Sequence, residues 1–291
     1  MAIPRKILIR VTGAPLLVAA LCGIIYWGNQ LHQRGEPNTP VRVLILLVSV
    51  LCVHELGAMA AVKGIVTARW AAMLATAVYF FPWARVTGSD LLVRYAGEAA
   101  SVGLVFYLLF MVVFRYGRLN PDGAALSYLS YGYLTLLDYA LELPIRLDQQ
   151  QAYYFLFLLA AGKGSDMAAF VVGKAIGKRP MSPQVSPNKT WEGGIAGGIA
   201  GTAAGLAVIF LTPLKAAYYG MPVPALLFFC LLVTIASQVG DLVKSAFKRW
   251  AGVKDSGHLL PEFGGMLDMV DSFIIAAPVA TLGTQLLDRL F

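Results

Sequence analysis

Long apolar stretches follow one another along most of this chain, and short charged segments separate them. A helix needs roughly 20 mainly apolar residues to cross a bilayer. Charged residues make up only 13% of the 291 residues, whereas a soluble domain carries about 25%. The sequence therefore predicts an all-α polytopic membrane protein with about nine transmembrane helices. We place these spans near residues 13–28, 41–62, 66–83, 97–114, 124–142, 152–173, 193–212, 222–243 and 272–290.

The positions of the 23 Lys and Arg residues predict the orientation. With nine spans and a cytoplasmic N-terminus, about twice as many cations fall on the cytoplasmic side as on the other, as the positive-inside rule requires. We expect N-terminal membrane helices over 1–150, with about five spans, and a catalytic membrane region over 151–291, with about four. The charged segments 178–193 and 241–271 then lie on the cytoplasmic side of the C-terminal half. The sequence has no basic stripe with interleaved aromatic residues, which is the pattern that indicates nucleic-acid binding.

Glycines recur every four residues in the seventh predicted span, at Gly193, Gly197, Gly201 and Gly205. This spacing places them on one face of a helix. In a membrane, a face of small residues lets another helix approach closely. Two uses are compatible with this pattern: packing within the chain, or a contact surface that forms either a homodimer seam or a groove wall beside the active site.

The segment before the glycine helix has the features of a phosphate site. Thr190 is expected to cap a helix that begins at Trp191, and Lys189 lies beside that helix end. The free N–H groups at a helix N-terminus favour anions such as phosphate. The alternative is an ordinary capped helix whose Trp191 is anchored among the lipid headgroups.

Some of the charged residues inside the predicted spans are candidates for a functional role. Lys163 and Asp166 are three residues apart, so they lie on one helical face and can pair. Such intramembrane charges mark either a functional site or a structural ion pair in a polar bundle interior. Glu55 follows His54, but the segment lacks the second histidine of a zinc-protease helix. We therefore expect Glu55 to be an interior hydrogen-bonding residue.

The second charged segment combines cations with carboxylates. One helical stripe carries Asp241, Lys244, Ser245 and Lys248 at positions i, i+3, i+4 and i+7. Asp268 and Asp271 follow Gly264-Gly265 at the start of the last predicted helix. Together with Asp241 they supply two or three oxygen ligands for Mg²⁺, with phosphates and water completing the octahedron. The alternative is a set of salt-bridged charges on a solvated surface.

These segments closely resemble the CDP-diacylglycerol synthases, also called phosphatidate cytidylyltransferases. The C-terminal signature of that family is matched at Ser245, Lys248, Arg249, Lys254, Asp255, Gly257, Leu260, Pro261, Gly264, Gly265, Met266, Asp268, Val270 and Asp271. The stretches 165–173 and 186–193 are similar to two further family motifs. Phe263 and Met269 depart from the pattern, because the family usually has His and Arg there. His258 and Arg179 are candidate substitutes.

The resemblance implies transfer of a nucleotidyl group from CTP to phosphatidate, giving CDP-diacylglycerol and pyrophosphate in phospholipid biosynthesis. Asp241, Asp268 and Asp271 are then expected to bind Mg²⁺, with a second metal ion as an option. Phosphates would be held by Lys189, Lys248 and Arg249. The polar cavity would be lined by Lys163 and Asp166, with Ser245, Lys244 and Thr190 in support. We expect an integral protein of the bacterial plasma (inner) membrane that binds CTP and membrane phosphatidate.

Two alternatives stay open from the sequence. One is CTP-dependent transfer to another lipid phosphate or a polyprenol. The other is a membrane transporter that uses the charges at 163, 166 and 241 as a pathway. Transporters often contain inverted repeats with broken helices at matching positions, and the sequence shows no such repeat.

Overall fold

The computed structural model describes residues 23–24, 26–28, 30–31, 39–81, 90–114, 119–140, 150–257 and 264–291. Most of the first predicted span (13–28) lies outside these residues, as do His258 and Phe263. The described α-helices are α1 (Thr39–Val62), α2 (Arg69–Phe80), α3 (Asp90–Phe114), α4 (Pro121–Thr135), α5 (Gln151–Ile176), α6 (Trp191–Leu211), α7 (Leu214–Ala217), α8 (Val223–Ala251) and α9 (Met266–Leu290). A short 3-10 helix, Leu136–Ala140, follows α4. The antiparallel strands β1 (Pro180–Ser182) and β2 (Ser186–Thr190) form a hairpin before α6.

The all-α membrane architecture is confirmed. In the described part of the chain, 6 helices are long and apolar enough to cross a bilayer. They are α1, Tyr95–Phe114 of α3, Ala152–Ile176 of α5, α6, α8 and α9. The predicted spans 66–83 and 124–142 correspond to α2, with 12 residues, and α4, with 15 residues. α2 ends at Phe80, and the next residue, Phe81, has an extended backbone that fits its place before a proline. The count of nine spans stays a prediction.

The outward faces of the long helices carry large apolar side chains. On α3, Phe106 and Phe114 are 69% and 71% exposed, and on α5 Phe170 is 69% exposed. Contiguous exposed apolar surface of this kind is rare in a soluble monomer. These faces are suited to contact with lipid acyl chains.

The described chain forms two compact units. The first contains the residues up to Thr135 together with Ala251–Met269, and the second contains Leu136–Trp250 and Val270–Phe291. In the first unit, α1 packs against α2 and α4, and α3 packs against α2. In the second unit the most extensive contact is between α5 and α6. The division at residue 150 that the sequence suggested stays a prediction.

The glycine face of α6 packs against α5 within the chain. A Cβ atom at Gly201 would lie 2.5 Å from the Ala161 carbonyl oxygen and from a Thr234 methyl group, so only glycine fits there. Gly193 and Gly197 make similarly close approaches to α5. Intramolecular packing is therefore the use of this face, as one of the two sequence alternatives predicted.

Aromatic residues and hydroxyl pairs join α5, α8 and α9 in the core of the second unit. The rings of Phe157 and Phe229 stack, with centroids 5.6 Å apart. The Tyr154 hydroxyl hydrogen-bonds the Thr281 hydroxyl at 2.9 Å, and both residues are fully buried. Paired hydroxyls satisfy polar groups that would otherwise be costly inside an apolar bundle. These contacts hold both α8 and α9 against α5.

Candidate active site

Four charged side chains from β2, α8 and α9 meet in the second unit. Asp241 lies between two lysines: it forms an ion pair with Lys189, and its Oδ1 lies 2.8 Å from the Lys244 Nζ. Lys244 also forms an ion pair with Asp271. Lys244 is 7% exposed and Asp271 is 2% exposed. The sequence placed Lys244 and Asp241 on one stripe, but their junction with Asp271 depends on how α8 and α9 pack.

A glycine next to Asp241 allows this junction. Gly240 faces the backbone of α9 at Asp271 and Ser272, with no room for a Cβ atom between the two helices. The Asp271 Oδ1 accepts hydrogen bonds from the Ser272 backbone N–H at 2.7 Å and from the Ser272 hydroxyl at 3.0 Å. The other oxygen of Asp271, Oδ2, is the one that faces Lys244. The carboxylate is therefore fixed in orientation.

A cavity of about 240 Å³ adjoins this cluster. Polar and apolar residues of α5, the hairpin, α6 and α8 line it: Asp166, Ala169, Phe170, Met181, Asn188, Lys189, Thr190, Gly193, Gly194, Gln238, Asp241 and Leu242. Phe170 is both a lining residue and 69% exposed on the outer face of α5. The cavity therefore borders a surface that faces lipid.

The N-terminus of α6 opens onto the same cavity. The Thr190 hydroxyl accepts a hydrogen bond from the Gly193 N–H at 3.2 Å, which confirms Thr190 as the predicted cap. The Glu192 carboxylate accepts hydrogen bonds from the backbone N–H groups of Lys178 and Arg179 and so holds the hairpin against the helix. The sequence predicted an extended approach to α6, but not a hairpin.

Other predicted site residues lie on the same side of the second unit. Lys163 and Asp166 pair at 3.7 Å, and Asp166 lines the cavity. The Arg249 Nε donates a hydrogen bond to the Val185 carbonyl at 3.1 Å, at the turn of the hairpin. Ser245 and Lys248 are half-buried on the last turns of α8. Arg249 therefore positions the hairpin in this structure, and its predicted contact with phosphate stays a prediction.

Asp268 lies in the first unit and belongs to a different hydrogen-bond network. Its Oδ2 accepts from the Ser256 hydroxyl at 2.9 Å, the Ser256 N–H at 3.2 Å and the Gly265 N–H at 3.3 Å. Glu55, 4% exposed, reaches the same segment, which confirms it as an interior hydrogen-bonding residue. Met269 is half-buried in the first turn of α9.

Gln238 is a cavity residue that the sequence reasoning missed. Its Nε2 donates to the Ser165 hydroxyl at 2.9 Å and to the Gly194 carbonyl at 3.0 Å. A carbonyl only accepts hydrogen bonds, so this contact fixes the orientation of the amide. Gln238 thereby ties α8 to α5 and α6 beside the cavity. Its place three residues before Asp241, on the same face of α8, was the available sequence signal.

The donor set of the cluster fits a magnesium ion. Asp241 and Asp271 direct carboxylate oxygens at one point, where the Lys244 ammonium group supplies the positive charge. One or two carboxylates plus substrate phosphates is the usual arrangement for Mg²⁺. Within the described ranges, no group of three or more His, Cys, Asp or Glu residues is arranged to hold a metal. The predicted set of three carboxylates stays a prediction.

A cavity between long apolar helices, with cations, carboxylates and a helix N-terminus beside it, is the arrangement expected of the class of membrane enzymes that act on phosphate groups. Comparison with known proteins places the chain within that class. A sequence model of the Cytidylyltransferase family matches residues 9–287. The chain belongs to this family.

Several relatives are similar over much of the chain. The phosphatidate cytidylyltransferase of Brucella suis is 36% identical over 209 residues, covering 70% of this chain and 72% of the relative. That of Bacillus subtilis is 35% identical over 207 residues, covering 61% of this chain and 75% of the relative. An uncharacterized protein of Escherichia coli, YnbB, is 39% identical over 194 residues, covering 66% of this chain and 57% of the relative.

Proposed function

We propose that this protein transfers the cytidylyl group of CTP to phosphatidate, giving CDP-diacylglycerol and pyrophosphate in phospholipid biosynthesis. Membership of the cytidylyltransferase family and the names of the relatives support this activity. The structural observation that carries it is the junction of Lys189, Asp241, Lys244 and Asp271 beside a cavity that borders the lipid-facing surface.

The chemistry requires a phosphate oxygen of phosphatidate to attack the α-phosphorus of CTP. A new P–O bond forms, the bond from the α-phosphorus to the bridging oxygen breaks, and pyrophosphate leaves with that electron pair. Catalysis of such a transfer consists mainly of positioning and charge stabilisation. Lys189 and the N-terminus of α6, which line the cavity, would neutralise phosphate oxygens there. Lys248 and Arg249 extend the positive charge along the end of α8.

We further propose that Asp241 and Asp271 hold Mg²⁺, with Asp268 as a third acidic ligand and a second metal ion as an option. Held by these residues, the ion would supply positive charge to the substrate phosphates and to the leaving pyrophosphate. Asp241 and Asp271 both form ion pairs with the Lys244 ammonium group. Lys244 therefore supplies positive charge to the same two carboxylates whenever they lack a metal.

The proposed topology has nine spans with the N-terminus in the cytoplasm, in the bacterial inner membrane, with the cavity on the cytoplasmic side where CTP is available. The positive-inside excess supports this orientation. The two acyl chains would stay in the bilayer while the headgroup enters past Phe170, a lining residue on the outer face of α5.

A homodimer is also proposed. Because the glycine face of α6 packs on α5, a partner would contact another surface, such as exposed Ile195 and Ile199.

The test uses the purified full chain in detergent with labelled CTP, Mg²⁺ and phosphatidate. We expect labelled CDP-diacylglycerol from the wild type and a loss of at least about 100-fold in rate for Asp241→Asn, because a charged transition-state contact is removed. Asp122→Asn, which changes an exposed carboxylate at the start of α4, is the matched control and should keep full activity.

A lipid panel separates the proposed substrate from its alternatives. Phosphatidate, an ether-lipid phosphate and a polyprenol phosphate are compared at equal mole fraction in mixed micelles. Product from phosphatidate at the highest kcat/KM supports the proposal. A higher kcat/KM with either of the other two lipids would reassign the substrate within the same chemistry.

A further inference from the structure

Glu55 is a buried carboxylate whose partners all lie near the start of α9. Its Oε1 accepts a hydrogen bond from the Met266 N–H at 2.7 Å, and its Oε2 accepts from the Leu267 N–H at 2.9 Å and the Ser256 hydroxyl at 3.1 Å. The first N–H groups of a helix have no partner within the helix. A negative charge at that end is also favoured by the helix dipole. Glu55, from α1, therefore supplies the cap of α9.

The loop around Glu55 is shaped by glycines. A Cβ atom at Gly257 would lie 2.6 Å from Oε1 of Glu55, and one at Gly265 would lie 2.5 Å from Oε2. Contacts that short are not possible for a real Cβ atom, so both positions require glycine for the backbone to approach the carboxylate. Gly257 and Gly265 therefore have a physical role, which is to leave space for the Glu55 carboxylate close to the backbone.

Ser256 connects Glu55 to Asp268. The Ser256 hydroxyl lies within hydrogen-bond distance of both carboxylates, at 3.1 Å from Glu55 and 2.9 Å from Asp268. Asp268 also accepts a hydrogen bond from the Gly265 N–H. Gly265 is the N-cap of α9 and Asp268 is its third residue, so this is one of the two hydrogen bonds of a capping box. Gly265 has no side chain with which to complete a reciprocal capping pair, and Glu55 takes that place. One network therefore fixes the backbone at residues 265–267 and the Asp268 carboxylate.

We propose that Glu55 is a positioning residue for Asp268. The proposal rests on the proposed function, in which Asp268 is a metal ligand in cytidylyl transfer. Glu55 touches neither substrate nor metal in this role; it holds the first turn of α9 so that the Asp268 carboxylate keeps one orientation. Loss of Glu55 should then weaken the use of Mg²⁺ more than the binding of CTP or lipid.

The test compares Glu55→Gln with the wild type, with Ser127→Ala as the control. The glutamine keeps the size of the side chain, but it directs an amide NH₂ group at one of two N–H donors. Ser127 is also buried in the first unit, where its hydroxyl accepts from the Ala68 N–H at 2.8 Å. The control thus loses a buried hydrogen bond away from α9.

Two readouts are measured on each variant. For Glu55→Gln, we expect kcat to fall and the Mg²⁺ concentration for half-maximal rate to rise about tenfold or more, since a hydrogen bond to a charged group is lost. The KM values for CTP and phosphatidate should stay within about threefold of the wild-type values, because Glu55 does not touch either substrate and its loss acts on kcat. Hydrogen exchange of the peptide containing Met266 and Leu267 should accelerate about tenfold or more in the same variant, from loss of the same bonds. The control should match the wild type in Mg²⁺ response and in exchange of that peptide.

The outcomes separate this proposal from the proposed function. An unchanged Mg²⁺ response in an active Glu55→Gln variant would refute the positioning role, and so would unchanged exchange at residues 266–267. If the wild type makes no CDP-diacylglycerol, the proposed function fails. Exchange, together with the shift in thermal midpoint that Mg²⁺ produces, then decides the positioning role without activity. If Glu55→Gln does not fold, Ser256→Ala must show the raised Mg²⁺ requirement. This variant removes the hydroxyl that links Glu55 to Asp268 and leaves the two backbone N–H donors of Glu55 in place.

Discussion

Replacement of Lys244 by methionine tests whether the Lys244–Asp271 pair is as buried as the structure shows. Lys244→Met keeps a side chain of similar length and removes the only positive charge placed between Asp241 and Asp271 in the described ion pairs. Asp241 keeps its ion pair with Lys189. The loss therefore falls on Asp271, which is 2% exposed and keeps the two hydrogen bonds from Ser272.

The expected cost follows from that burial. Removal of one partner from a buried ion pair costs about 3–5 kcal/mol. Because Ser272 still donates two hydrogen bonds to Asp271, we expect the lower end, about 3 kcal/mol. The equilibrium between folded and unfolded protein would then shift by roughly 150-fold, at about 1.4 kcal/mol for each factor of ten.

The assay is a double-mutant cycle of Lys244→Met, Asp271→Asn and the combined variant, followed by thermal denaturation in detergent with a chelator present. The combined variant should be more stable than Lys244→Met alone, because the uncompensated charge is gone, with a coupling energy of about 1–3 kcal/mol. Lys215→Met, at an exposed position of α7, is the matched control and should lie within about 0.5 kcal/mol of the wild type. A Lys244→Met variant as stable as that control, or a combined variant less stable than Lys244→Met, would refute the buried pair.

Three further predictions follow from the packing and the proposed site. Gly201→Ala should lower the thermal midpoint and the yield of monodisperse protein, whereas Gly198→Ala should match the wild type, since a Cβ atom there meets nothing within 4 Å; equal behaviour would contradict the α5–α6 contact. Thr190→Ala should cost about 1 kcal/mol by loss of the cap, and Thr190→Ser should restore it, as measured by denaturation. In Lys244→Met, added Mg²⁺ should raise the thermal midpoint by more than it does in the wild type, since Asp271 has then lost the ammonium group of its described ion pair; an equal shift would argue against Asp241 and Asp271 as ligands.

Local spacing along the chain was enough to predict much of the second unit. Apolar stretches of span length predicted the long helices, because a bilayer leaves few other ways to satisfy the backbone. The four-residue repeat of glycines predicted a close helix contact, and Thr190 was recognised as a cap from its type and position. The stripe on α8 placed Asp241 and Lys244 together, since residues three apart share a helical face.

Short helices were harder to predict. α2 and α4 have apolar composition, but they extend over only 12 and 15 residues. Hydropathy does not locate a helix end that depends on a proline or on a neighbouring helix. The hairpin of β1 and β2 was missed because its strands are only three and five residues long and contain prolines, which give no alternating apolar pattern.

Sequence alone therefore determined the membrane class, most of the long helices and the residue types of the site, because these depend on spacing within one element. Tertiary structure decided which of those residues meet. Glu55 reaches the N–H of Met266 across 211 residues, and Lys244 joins Asp241 to Asp271 only because Gly240 lets α8 approach α9. Contacts of this kind depend on the packing of separate helices, and the periodicity of a single helix carries no information about the distance to another.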